Sequence, residues 1–171
     1  PLQPTWDYYV GIDHGLKNPT SIGVYARLPS GVVIRVREHY EGDGKPISYH
    51  AACFKTMIAD LPVPPKLVIA DPNCWSGTQS KDKHVSSVID EYNAHGVYPV
   101  PGQNDWHQGF NRMNEALNIS QSRVHPVSGL PGSPGFLAFS TCHNFIREVQ
   151  NYKWKKVRGA MLRNAPDEPI D

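Results

Sequence analysis

Two apolar runs in this chain close on an aspartate, and that shared ending constrains the fold more than any other feature. The first is DYYVGID at residues 7–13, and the second is LVIAD at residues 67–71. The aromatic and β-branched content of the first reads as a strand. The second is apolar at successive positions, as in a central strand covered on both faces. If the two strands lie side by side and parallel, Asp13 and Asp71 emerge at one edge of the sheet, where ligands of open α/β sheets gather. Two carboxylates held close together repel, and a counter-ion relieves them. Mg2+ or Mn2+ suits the pair, because hard cations prefer carboxylate oxygens and retain waters for chemistry. Two such ions ~3.5–4 Å apart clamp a scissile phosphate between an activated water and a stabilised leaving oxygen. A plainer reading stays open. Aspartate commonly ends a strand as a turn former or helix cap, and Asp71-Pro72-Asn73 has the composition of an ordinary turn. Gly15 either permits the turn after Asp13 or lets a phosphate approach the backbone.

The segments around these runs read as a mixed sheet with helices. TSIGVYARL and GVVIRVREHY flank Pro29-Ser30-Gly31, a hairpin turn, so the first three strands form an antiparallel meander. Helical spacing of Ile47, Ala51, Phe54, Ile58 and Leu61 predicts a helix over 46–61. Val85, Val88, Ile89 and Tyr92 predict another over 81–94, followed by a short strand in GVYPV. A third helix is expected over 105–120. Residues 123–139 suggest a second hairpin, with a Gly/Pro-rich tip from Gly129 to Gly135. A helix follows from Thr141, with Ser140 or Thr141 as its N-cap, and WKKVRGAM suggests a final strand. The order describes an α/β domain with a mixed sheet. Residues 1–6 read as a linker and residues 7–171 as one domain, since 171 residues bury one substantial core.

Composition narrows the class further. Hydrophobic residues make up 39% and charged residues 19%, as in soluble globular proteins rather than disordered tails. No apolar run approaches the roughly 20 residues that cross a bilayer. The three cysteines, Cys53, Cys74 and Cys142, contain no CxxC pair, which disfavours a disulfide scaffold or cysteine zinc site and favours an intracellular setting. Net charge is only +1, so it neither demands nor excludes nucleic acid. Basic residues do concentrate late, and Lys155, Lys156 and Arg158 are candidate phosphate contacts, or else a solvated face. There is no P-loop. His14 should point away from Asp13, Cys142 and His143 do not face one another as a nucleophile pair needs, and Trp75, Trp106 and Trp154 read as packing residues.

GIDHGLKNPTSIGVYARLPSGVVIRVREHYEGDG resembles the opening of the nuclease domain of tailed-phage large terminases. There G-(I/V)-D-x-G precedes a short polar loop, a strand, a hairpin and a strand ending near an acid. LVIADPNCWSG is similar to the second acidic motif of that family, and FLAFSTCHNFIREVQNYKW to its late strand, polar helix and aromatic strand. The resemblance implies a ribonuclease-H-like fold, with the three-strand meander and parallel strands flanked by helices. It implies a Mg2+- or Mn2+-dependent endonuclease, with two ions, that cuts concatemeric viral DNA as packaging starts and ends. Asp13 would be the carboxylate shared between the metals and Asp71 its partner. The family's third acid falls late in the chain, which points to Asp171, less so to Asp167, or to a residue beyond them. An ATPase domain would precede PLQPTW, and the partners would be double-stranded DNA, portal and small terminase in the host cytoplasm, with no membrane.

Rival readings follow from the same residues. Holliday-junction resolvases and integrase-like enzymes also place acids after their first and fourth strands, though the loop LKNPTS is more terminase-like. Actin- or sugar-kinase-like ATPases share VGID-x-G but need a second phosphate loop, which this sequence lacks. A catalytically silent binding module would use Asp13 and Asp71 only as turn residues.

Overall fold

The structure is a computed structural model that describes residues 1–171 except 16, 17, 43, 77, 80–84, 153, 158, 159 and 167–171. For residues 78, 79, 85, 106, 154–157 and 160–166 the backbone alone is described.

Alternation builds the first layer. In β1 (Asp7–Asp13), Tyr8, Val10 and Ile12 are buried, and the intervening Tyr9, Gly11 and Asp13 occupy the opposite face. β2 (Thr20–Arg27) pairs antiparallel with it, setting Asp13 opposite Ser21 and Gly11 opposite Gly23. β3 (Val33–Glu41) completes the meander after a turn in which Gly31 holds a φ of 85°, a conformation glycine adopts without strain. The β2–β3 register skips Val36, pairing Tyr25 with Arg35 and Val24 with Arg37. This bulge separates the two arginines. Arg37 reaches α1 (Ile47–Ile58), bonding the Met57 carbonyl and the Asp60 carboxylate just beyond the helix, whereas Arg35 packs on the ring of Phe145.

β4 (Leu67–Ala70) adds to β1 in parallel, with Gly11 opposite Ile69 and Ile12 opposite Ala70. A 3-10 turn, Pro72–Trp75, follows. The expected helix over 81–94 is shorter than its periodicity suggests. β5 (Thr78–Gln79) and β6 (Val85–Ser86) form a small antiparallel pair, and α2 (Val88–Ala94) starts only after Ser87. Ser87 accepts from the Asp90 amide at 3.2 Å and the Asp90 carboxylate accepts from the Ser87 amide at 2.9 Å, so this capping box overrides the apolar spacing of Val85. β7 (Val100–Pro101) pairs in parallel with β4 and brings Gly102 to a 2.9 Å backbone bond with Ala70.

The last third departs most from expectation. α3 (Trp106–Leu117) ends before β8 (Ser120–Val124), which pairs with β9 (Pro131–Ser133). The hairpin expected over 123–139 therefore closes within 120–133. Its supposed second strand, β10 (Phe136–Ala138), leaves it to join the main sheet parallel to β3. Phe136 buries there beside Tyr25 and Phe145, and that apolar site outcompetes a hairpin edge. α4 (His143–Asn151) then packs over β3. Neither Ser140 nor Thr141 caps it. The cap is Glu38, whose carboxylate accepts from the Asn144 amide at 2.8 Å and the Phe145 amide at 3.0 Å. β11 (Trp154–Val157) pairs antiparallel with β12 (Ala160–Pro166), so the expected final strand is a hairpin.

The resulting six-stranded sheet runs β10-β3-β2-β1-β4-β7, a ribonuclease-H-like mixed sheet with helices against it. One face holds the core, where Tyr8, Val10, Val24 and Ile34 meet Phe54 of α1 and Tyr92 of α2. Leu2 and Trp6, from the segment read as a linker, also rest on this core.

Candidate active site

Parallel pairing of β1 and β4 brings the two aspartates together. The Asp71 amide donates to the Ile12 carbonyl at 3.2 Å, which carries the strand register one step beyond Ile12 and Ala70. Both carboxyl groups line one cleft of about 260 Å³ at the carboxyl ends of these strands. Asp71 also acts as the turn former that the bland reading described, since Oδ1 accepts from the Asn73 amide at 2.7 Å. Capping fixes the Asp71 side chain and leaves its charge in the cleft.

Electrostatics mark Asp13 as unrelieved. Solvent reaches Asp13 at the cleft mouth, yet loss of hydration raises its pKa above the ordinary carboxylate value, and the charges of Asp71 and Glu148 raise it further. Glu148 lies on α4 and accepts a hydrogen bond from the Tyr40 hydroxyl. Burial, then the charges of Asp71 and Asp13, likewise raises the pKa of the buried Cys74 thiol. The turn after Asp13 is tight. A Cβ on Gly15 would lie 2.0 Å from the Asn18 carbonyl oxygen, so the loop itself requires glycine there. His14 turns inward. Its Nδ1 stands 3.2 Å from the Thr20 hydroxyl and 3.4 Å from the Tyr92 hydroxyl, and its ring packs edge-on against His50. Cys142 is fully buried, with its thiol donating to the Arg35 carbonyl at 3.6 Å, and is no nucleophile.

Sequence reasoning does not find the rest of the cleft. Ser21, Gly23 and Tyr25 of β2 form one wall, and Gly102, Gln103 and Asn104 after β7 form the other. Strand parity from Asp13 could have found the first wall, because Ser21 faces Asp13 across the ladder and Gly23 and Tyr25 follow at period two. Nothing local reveals Glu148, whose partner Tyr40 is 108 residues away.

The donor set fits hard divalent cations only in part. Two aspartates beside Gln103 and Asn104 are the oxygen-bearing residue types that suit Mg2+ or Mn2+, but among the described residues no group of three or more His, Cys, Asp or Glu is placed to hold a metal. Asp171 and Asp167, expected as the third ligand, lie outside the described residues, as does Arg158. Lys155 and Lys156 fall on β11, where only the backbone is described.

Comparison with solved structures identifies the architecture. The large terminase of a thermophilic bacteriophage, in complex with ATP-gamma-S, superposes with a TM-score of 0.69 at 23% identity, covering 95% of this chain and 36% of that one. This chain has the fold of large-terminase nuclease domains. The nuclease domain of the P22 large terminase matches with a TM-score of 0.65 at 13% identity, over 96% of this chain and 76% of that one. The large terminase nuclease from the thermophilic phage G20c, with bound cobalt, matches at 0.52 and 14% identity, over 97% and 77%. The chain thus spans about a third of the first of these large terminases. No protein-family model and no curated protein sequence matches it. Among the described residues no helix is long and apolar enough to cross a membrane.

Proposed function

We propose that this chain is the endonuclease domain of a phage large terminase. It would cut concatemeric viral DNA at the initiation and termination of packaging, by phosphodiester hydrolysis that depends on Mg2+ or Mn2+. One observation carries the reading: Asp13 and Asp71 share a cleft at the carboxyl ends of adjacent parallel strands, within a fold shared with large-terminase nuclease domains. The cobalt bound by the G20c nuclease supports dependence on a divalent cation.

Asp13 and Asp71 would hold the metal, with Asp171, or Asp167, completing the set. When bound, a pair of divalent cations supplies an activated water and charge neutralisation at the leaving oxygen. The chain contributes the rest. Asp71, clamped by its bond to Asn73, presents a fixed carboxylate, and the rigid β1–β4 ladder holds Asp13 beside it. The two walls of the cleft admit a DNA strand. Double-stranded DNA is the substrate, Lys155, Lys156 and Arg158 contact its phosphates, and an ATPase domain, portal and small terminase are the partners in the host cytoplasm.

The deciding experiment incubates the chain with supercoiled plasmid and Mn2+ or Mg2+, beside Asp13→Asn. Metal-dependent nicking and linearisation by the wild type, lost in the variant, is the expected result. Equal nicking by both would sink the assignment.

A further inference from the structure

Arg35 is 5% exposed, and its ion pair with Glu38 is a long one. The two groups approach to 3.9 Å, beyond hydrogen-bond range. Both Glu38 oxygens are already committed to the amides of α4. Arg35 Nε is buried without a hydrogen-bond partner among the described residues. The guanidinium lies 4.6 Å above the Phe145 ring and turns its two amino groups toward the cleft wall. Nη1 donates to the Tyr25 hydroxyl at 2.7 Å, and Nη2 stands 3.5 Å from the Ser21 hydroxyl. Burying an arginine so arranged is costly to folding.

Gly23 makes the arrangement possible. A Cβ there would lie 2.9 Å from Arg35 Cζ and 2.8 Å from the Tyr25 oxygen, so only glycine lets both groups lie flat on this strand. Tyr25 thereby extends along β2 over Gly23, toward Ser21 and the aspartate opposite it. Each hydroxyl that accepts from the guanidinium keeps its own proton to donate. The result is a pair of oriented O–H donors in the cleft wall beside Asp13, backed by a cation one layer behind.

We infer that Tyr25 and Ser21 form a subsite for a non-bridging oxygen of the DNA phosphodiester, with Arg35 as the positioning residue that orients and polarises both hydroxyls. This inference rests on the nuclease reading. Its design logic is electrostatic. A guanidinium standing in the cleft would ion-pair with Asp13 and Asp71 and compete with their cation. Held behind neutral hydroxyls, the same charge favours an incoming anion without quenching the acids.

The test measures single-turnover cleavage of a DNA duplex at saturating Mn2+ by the wild-type chain, Tyr25→Phe, Arg35→Lys and the double variant. Melting temperature and calorimetric Mn2+ uptake are followed in parallel. Tyr25→Phe removes one oxygen and is expected to slow cleavage roughly a hundredfold, the scale for one donor aimed at developing charge. Mn2+ uptake should stay at the wild-type value for that variant, while its melting temperature falls, because the buried Arg35 Nη1 loses its acceptor. Because Arg35 acts through Tyr25, the double variant should be no slower than the slower single one, whereas independent structural effects would multiply. Wild-type cleavage rates in Tyr25→Phe would overturn the subsite and leave the nuclease reading standing. Multiplying effects would overturn the positioning role of Arg35. A wild-type chain that neither binds Mn2+ nor cuts would overturn the nuclease reading, and the subsite with it.

Discussion

Asp13 stands where its own charge is unwelcome. Burial, Asp71 and Glu148 all push its pKa upward, so the folded state without metal disfavours the ionised carboxylate. The folded pKa therefore lies above the unfolded one. The charge costs stability at every pH above the folded value, and that cost vanishes as pH falls to the unfolded value of about 4. Without metal at neutral pH, Asp13→Asn should melt higher than the wild type, and the difference should shrink to nothing as pH approaches that value. A lower melting temperature for the variant at neutral pH would contradict this. Added Mn2+ should reverse the order, because only the wild type gains the stabilisation of a bound ion. Asp13 and Asp71 are legible in the sequence because each ends a strand whose composition is unmistakable. Arg35 is not. Alternation along GVVIRVREHY groups it with Arg37 on one polar face, and the bulge that separates them is set by pairing with β2 rather than by local sequence.

The elements show where local signals lose to tertiary ones. The helical spacing of Val85 starts α2 too early, while the capping box at Ser87 is the stronger start signal. α4 has Cys142 at its N-cap position but takes no cap from that side chain, since Glu38 serves that purpose from β3. The Glu38 side chain is 7% exposed and joins two helix amides to the Arg35 charge. Glu38→Ala strands those amides and a buried cation together. It should cost about 2 kcal/mol, the scale of leaving buried donors unsatisfied. Denaturant unfolding gives that loss directly, and a change within roughly 0.5 kcal/mol, the scale of a surface substitution, would contradict it. The antiparallel meander and the parallel β1–β4 pair are readable because each strand carries its own pattern. β10 is not, since FLAF has the same apolar character whether it closes a hairpin or joins a sheet edge.

At the scale of the whole molecule, charge is nearly balanced at +1, so the DNA binding proposed above would have to come from local clusters. Neutralising Lys155, Lys156 and Arg158 together should weaken binding to all duplex sequences alike. It should also flatten the dependence of log affinity on log salt, by roughly 0.9 for each phosphate no longer neutralised. An unchanged slope would return these residues to a plain solvated face.

The strand order also schedules the molecule in time. β1, β2 and β3 are neighbours in sequence as well as in space, so residues 7–41 can pair as soon as they exist. β4 is expected to dock next and to complete the Asp13–Asp71 pair while the opposite edge of the sheet is still open. β10 and α4 come about a hundred residues after β3, and closing so long a loop is slow and entropically costly. Until they dock, Arg35 would face water and Glu38 would have no helix to cap. On this order the acids would assemble early, and the cation behind Tyr25 would be enclosed only when β10 and α4 dock.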